Sequence, residues 1–244
     1  SNGGAVANTS TNTKTQIAKN LGSTGEIIVT GIGSTLDAGA QLSVGADIDL
    51  VTGAFIDGQS GDGALTIDDD GIVSTLSGFV GSSGTLSIRD ASFIGDLEVT
   101  GSFFVGGMGT QGDASVLGAF SQTSGLLEFD VFGVNAGEFD TLTTSSTAII
   151  SGETITIDVG ELATLNVGDS AVLFSTTGTL IIDTTDTAAF IGQVAGPGRE
   201  FVLTQENDPL GQGGPVEQLV FSVLQGTLAV VTGDFEIISA ADGQ

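Results

Sequence analysis

One short pattern, repeated along the chain, limits the fold more than any other feature. It is a glycine, a small or polar residue, then apolar, any, apolar, closed by Asp, Thr or Gly. Copies are Gly25-Glu-Ile-Ile-Val-Thr-Gly31, Gly63-Ala-Leu-Thr-Ile-Asp68, Gly84-Thr-Leu-Ser-Ile-Arg89 and Gly95-Asp-Leu-Glu-Val-Thr-Gly101. Others follow at Gly125-Leu-Leu-Glu-Phe-Asp130, Gly160-Glu-Leu-Ala-Thr-Leu165, Gly178-Thr-Leu-Ile-Ile-Asp183 and Gly226-Thr-Leu-Ala-Val-Val-Thr-Gly233. Apolar residues two apart share one face of a strand, while the residue between them points away. The flanking glycine, Asp and Thr supply turn conformations. The copies are unevenly spaced, which is a strand-and-turn theme rather than a fixed-period repeat.

The expected fold is therefore all-β: an irregular β-solenoid or β-helix, with a β-sandwich of Greek-key or jelly-roll type as the alternative. Composition agrees. Helix formers such as Lys, Arg and Met are scarce, the apolar set is Val, Ile, Leu, Phe and Ala among Thr and Ser, and 39 residues are glycine. At 40% hydrophobic residues the chain carries enough apolar surface for a core. It has no cysteine, so packing and backbone pairing hold it together without disulfides.

Three regions are expected. Residues 1–20, rich in Asn, Thr, Ser and Gly, read as a flexible or strand-donating N-terminal arm. Residues 21–145 form a Gly/Phe-rich β region, and residues 146–244 a further β region, either separate from it or continuous with it. All three prolines fall between Gly196 and Pro215, in irregular loop. Fourteen phenylalanines supply all the aromatic character, and Phe79, Phe93, Phe103, Phe104 and Phe120 cluster in the middle third, as core or as an interface patch.

Charge and missing residue types exclude whole classes of function. Thirty acidic residues against Lys14, Lys19, Arg89 and Arg199 give a formal net charge of −26. Phosphate binding needs clustered cations, so nucleic acid is not an expected partner, and neither is an anionic bilayer. Histidine is absent, which removes Ser-His-Asp triads and imidazole metal sites. The glycine pairs at Gly31–Gly33 and Gly106–Gly109 lack the following helix pattern and lysine of a phosphate loop. Absence of Trp and Tyr counts against carbohydrate stacking. No enzyme activity is expected. A polysaccharide-active β-helix enzyme is the remoter alternative, because basic partners for acid–base work are so few.

Calcium is the one ligand with candidate donors. Asp68, Asp69 and Asp70 stand beside Gly71, and Asp208 follows Glu206 and Asn207; such oxygens suit Ca²⁺, the other reading being solvated acidic turns. No other cofactor is expected.

Residues 151–232 resemble the FecR-type bacterial envelope domain. The likeness lies in Gly160-Glu-Leu-Ala-Thr-Leu-Asn-Val-Gly-Asp169, in Ser170-Ala-Val-Leu-Phe-Ser-Thr-Thr-Gly-Thr-Leu-Ile-Ile-Asp183, and in Leu219-Val-Phe-Ser-Val-Leu-Gln-Gly-Thr-Leu-Ala-Val-Val-Thr-Gly233. Gln225 and Ala229 stand where that family commonly has Lys and Arg. The resemblance implies a periplasmic or extracellular β module for structure or sensing, and carries over no catalytic residue.

The functional expectation is an extracellular structural protein, secreted after signal-peptide removal. It is read as a subunit of a filament, sheath or surface layer that assembles with itself by strand addition, without membrane insertion of the mature chain. Ile17, Leu21, Leu228, Val230, Phe235 and Ile237 are the expected subunit contacts. The alternatives are a monomeric adhesin or surface-binding module and a phage fibre piece.

Overall fold

The structure, a computed structural model, describes residues 4–7, 13–49, 51–151, 155–160, 163–182, 188–192, 199–207 and 217–226. These residues form strands and turns without a helix, so the chain is all-β.

The strands come in successive groups. First are β1 (Ala5–Ala7), β2 (Lys14–Ile17) and β3 (Thr24–Thr30). The second group is β4 (Thr35–Asp37), β5 (Gln41–Val44), the short pair β6 (Asp47–Ile48) and β7 (Phe55–Ile56), then β8 (Asp62–Asp68). Next are β9 (Ile72–Val80) with β10 (Gly84–Arg89), and β11 (Ala91–Val99) with β12 (Ser102–Val105). Three-strand groups follow: β13 (Asp113–Leu117), β14 (Phe120–Gln122) and β15 (Leu126–Val131); β16 (Thr141–Thr144), β17 (Ala148–Ile150) and β18 (Ile155–Val159); β19 (Ser170–Thr176), β20 (Leu180–Ile182) and β21 (Ala188–Gly192). Two long strands, β22 (Arg199–Asn207) and β23 (Glu217–Gln225), close the described chain.

As far as β19–β21, each group pairs in parallel with its neighbours along the chain, which sorts these strands into three ladders. The first runs β1, β4, β9, β11, β13, β16, β19, and the second β2, β5, β9, β11, β14, β17, β20. Strands β9 and β11 are long enough to serve both. In β11 the register shifts between Ile94 and Asp96, at Gly95, whose φ of 132° suits glycine. The third ladder, β3, β8, β10, β12, β15, β18, β21, is a separate sheet. Antiparallel strand pairing among the described residues is confined to β6–β7, β19–β23 and β22–β23. A Greek-key sandwich is built from antiparallel neighbours, so this pairing does not accommodate the sandwich alternative.

The third ladder explains the recurring motif. Gly25, Gly63 and Gly84 are in register, and Gly101 and Gly125 directly precede the next two strands of the stack. Backbone from a neighbouring segment approaches so closely that a Cβ on Gly63 would meet the Gly45 amide, and one on Gly84 the Val44 carbonyl. Only glycine leaves that room. Two residues on, Leu65, Leu86, Phe103, Leu127 and Ile155 stack in register, followed by Ile67, Ile88, Val105, Phe129 and Ile157, all buried. Each such side chain contributes about 1.5–3 kcal/mol by leaving water. Intervening residues such as Thr66, Ser87 and Glu128 face outward.

One hydrophobic cluster extends from Ile17 to Val223 and includes Phe93, Phe103, Phe120, Phe129, Phe174 and Phe221. Of the middle-third phenylalanines, Phe79, Phe93, Phe103 and Phe120 are buried, while Phe104 is half-buried on the outer face. The ladders run through the region boundary expected at 145/146 without a break, because β16 pairs with both β13 and β19. Residues expected to form an arm are partly tied down: β1 pairs with β4 and β2 with β5 of the same chain. Backbone pairing of this kind needs no hydrophobic alternation, which is why Asn- and Thr-rich sequence concealed it.

Candidate functional site

Among the described residues, three places carry chemistry or exposed edges. The first is the turn after β8, where the sequence puts three consecutive aspartates. Asp69 (φ 51°) and Asp70 (φ 64°) adopt the left-handed turn conformation, and the Gly71 amide closes it on the Asp68 carbonyl at 3.0 Å. Asp residues tolerate that conformation better than most. The turn stacks on its neighbour, with the Asp69 and Asp70 amides donating to the Arg89 and Asp90 carbonyls at 3.2 and 2.7 Å.

Arg89 decides what this turn does. It donates from Nε and Nη2 to the two carboxylate oxygens of Asp68 at 2.7 and 2.6 Å, a bidentate pair between residues in register on adjacent strands. These hydrogen bonds hold the guanidinium above its ordinary pKa. Asp68 is thus committed to Arg89, and Asp69 and Asp70 are exposed. No set of three or more metal-ligating side chains among the described residues is arranged to hold an ion. Asp208, the other expected calcium ligand, lies outside the described residues. A shallow groove of about 560 Å³ runs past the turn, lined by Ile32, Asp70, Ile72, Asp90 and Asp113 among others.

The second place is the end of the ladders formed by β1, β2 and β3. Among the described residues, no strand pairs with their outer edges. Four large apolar side chains on or beside these strands are accessible: Val6, Leu21, Ile28 and Ile32 are 67%, 81%, 57% and 75% exposed. The sequence expectation of a contact at Leu21 therefore falls on an accessible side chain. The expectation for Ile17 does not, since that side chain points inward and is buried in its own chain's core. Leu228, Val230, Phe235 and Ile237 lie outside the described residues.

The opposite end is covered differently. Strand β23 lies antiparallel on β19, with β22 beyond it. The edge of β20 is met by side chains: the Leu180 amide donates to the Glu217 carboxylate, and Gln205 Nε2 donates to the Leu180 carbonyl at 2.9 Å. Arg199 similarly donates to the Leu165 carbonyl. Such side-chain caps deny an edge to an incoming strand.

The third place was not expected from sequence. Asp130 and Asp140, 1% and 0% exposed, are buried beneath the glycine-rich loop between β12 and β13. Asp140 is held by the backbone: its amide donates to the Asp130 carbonyl at 2.9 Å, and its carboxylate accepts the Asp130 amide at 2.7 Å and the Gly112 amide at 2.9 Å. Both carboxyl oxygens of Asp130 are buried without a hydrogen-bond partner. Burial pushes both groups up, Asp130 to about 7 and Asp140 to about 8; the charges of Glu128 and Asp158 add to the rise of Asp130, and that of Asp130 to the rise of Asp140. Glu128 and Asp158, on the outer face of the same ladder, add negative charge beside Asp130. In sequence, Asp130 reads only as the turn residue that closes a motif copy; the loop that covers it leaves no trace in the strand pattern.

Asp57 shows the contrasting case. Burial works against its charge, but the Ser82 amide and hydroxyl and the Thr100 hydroxyl donate to it at 2.7, 2.8 and 2.9 Å and hold it below the usual carboxylate range. It anchors the β6–β7 excursion, where Phe55 also stacks on Phe79 at 4.9 Å.

No helix among the described residues is long and apolar enough to cross a membrane. Models of known protein families give no match to this chain, and comparison with curated proteins gives none either.

Proposed function

We propose that the chain is a parallel β-solenoid whose coils are the strand groups described above, and that it serves as an extracellular structural subunit of a filament, sheath or surface layer. The observation that carries this reading is the outer edge of β1, β2 and β3, with which no strand among the described residues pairs, set among exposed Val6, Leu21, Ile28 and Ile32. Unpaired backbone groups on a strand edge accept another strand, and apolar neighbours stabilise the seam. Two copies meeting through the same edge would stop at a dimer, so a filament requires a different surface on the second copy. The segment Gly226–Ile238, which repeats the strand motif and lies largely outside the described residues, is the proposed donor. The FecR-type resemblance of residues 151–232 supports an envelope setting. We assign the chain no catalysis, in keeping with its lack of histidine and cysteine and its four cations.

Electron microscopy with light scattering on pure protein tests this. The full chain should assemble as concentration rises, and deletion of residues 227–244 should leave monomers that still show a β-rich circular dichroism spectrum. Strictly monomeric full-length protein at high concentration, with and without calcium, refutes it. The side-chain caps on β20 favour a second reading, a monomeric adhesin or surface-binding module, which that monomeric result would select.

A further inference from the structure

The buried acid pair under the β12–β13 loop serves no purpose in the assembly reading. Its surroundings are unusual for two carboxyl groups. Glu128 faces it from β15 and Asp158 from β18, both negative, and the loop itself, Gly106-Gly-Met-Gly-Thr-Gln-Gly112, contributes no charge. Arg89 passes close to Gly112, but its guanidinium is committed to Asp68. Asp90 lies beside Gly112 as well and is a further acid. No cation therefore compensates the pair among the described residues, and two adjacent buried charges of one sign are expensive.

The hydrogen bonds divide the two roles. Asp140 accepts two backbone amides, an environment suited to a carboxylate. Asp130 accepts none; the Gly109 and Thr110 amides approach it without reaching hydrogen-bond geometry. That environment suits a neutral carboxylic acid. The loop hangs on the same arrangement, because its last amide, Gly112, is bonded to Asp140, while Gly106 is fixed at the other end to the Ile88 carbonyl at 2.8 Å. Gly106, with φ 74°, packs directly on the Asp140 carboxylate, where a Cβ would collide with it.

We infer that Asp130 and Asp140 form a proton-holding latch: a proton retained by the pair spares it two adjacent buried charges and lets Asp140 clamp the glycine loop over β15, and loss of that proton to alkaline solvent releases the loop. Release would bare the outer face of β15, with Glu128 and Asp130, and expose Met108's loop to solvent on both sides. The latch makes one surface of the molecule responsive to the step from neutral to alkaline conditions.

The test is carbon-13 NMR of the aspartate carboxyls together with amide hydrogen exchange at Gly112, across about pH 5 to 9 on the full chain. One carboxyl of the pair should titrate near or above neutrality, far from the ordinary value of about 3.9. Above that midpoint the protection factor of the Gly112 amide should fall, at a limit of about tenfold per pH unit for one linked proton. Asp130→Asn, which keeps the shape and leaves one acid in place of two, should hold Gly112 protected to higher pH than the wild type does. Should that variant fail to fold, the wild-type titration still decides. Both carboxyls titrating near 4, or Gly112 protection indifferent to pH, overturns the latch. So does restoration of protection at pH 9 by millimolar calcium with no proton retained at neutral pH, which would make a cation the counter-ion.

Discussion

Replacing Phe120 with alanine probes whether the third and second ladders enclose one interior. Phe120 is 1% exposed, in register between Leu97 on β11 and Ala148 on β17. Its ring centroid lies 5.8 Å from that of Phe103 at an interplanar angle of 62°, and 6.2 Å from that of Phe174. Phe103 belongs to the third ladder and Phe174 to the first, so one ring joins all three. Truncating a buried Phe costs about 3–5 kcal/mol, and each edge or tilted ring contact contributes about 0.5–1.5 kcal/mol beyond area. Ala148 beneath it has no side chain long enough to fall into the hole. The loss should therefore sit near the top of that range, about 4–5 kcal/mol, against a typical total of about 5–15 kcal/mol. The chain has neither Trp nor Tyr, so urea unfolding is best followed by far-ultraviolet circular dichroism. Phe104→Ala, next to Phe103 but facing outward, is the control and should cost about 1 kcal/mol, as part-exposed substitutions do. If Phe120→Ala cost no more than Phe104→Ala, the register would be displaced by one residue and the proposed interior would be wrong.

Further expectations follow from other parts of the fold. Gly84→Ala drives a Cβ into the Val44 carbonyl at a place where backbone must move, and should lower stability by about 3 kcal/mol in the same assay. Arg89→Gln breaks a bidentate pair whose side chains are 38% and 22% exposed; solvent screening limits the loss to about 1 kcal/mol, and 1 M salt should reduce the wild-type advantage. For the buried acids the sign is that of a raised carboxyl: their contribution to stability is complete below about pH 4 and is lost as pH climbs through about 7 to 8. Wild-type urea midpoints should therefore fall between about pH 5 and pH 8.5, and Asp130→Asn should recover up to about 4 kcal/mol of that loss.

Much of the third ladder was legible in the sequence, because its strands meet the solvent on one face and a core on the other. Gly25, Gly63, Gly84 and Gly125 each open a motif copy that occupies this one ladder, and Leu65, Leu86 and Leu127 stack as alternation predicts. The uneven spacing hid that common register, since excursions of different length, such as the β6–β7 pair, intervene between strands. Not every copy marks a strand start: Gly95 lies inside β11, at its irregularity. Strands β1 and β2 were read as an arm because their side chains are polar or small, although their backbones pair like any other. The three aspartates at 68–70 invited a metal, but ligand geometry depends on neighbours, and Arg89, twenty-one positions away in sequence, takes the first of them. Asp130 escaped notice for the same reason in reverse: it reads as a turn residue closing a motif copy, and only the fold shows what lies on top of it.

Amide hydrogen exchange as a function of protein concentration tests the proposed assembly most directly. At dilutions where scattering reports monomers, the outward-facing amides of β1, β2 and β3 should exchange freely. They should become protected as particles grow, while amides in the middle of the ladders stay unchanged. Exchange at these three strands that is slow at every concentration, or that stays fast inside assembled particles, would place the contact elsewhere and contradict the account.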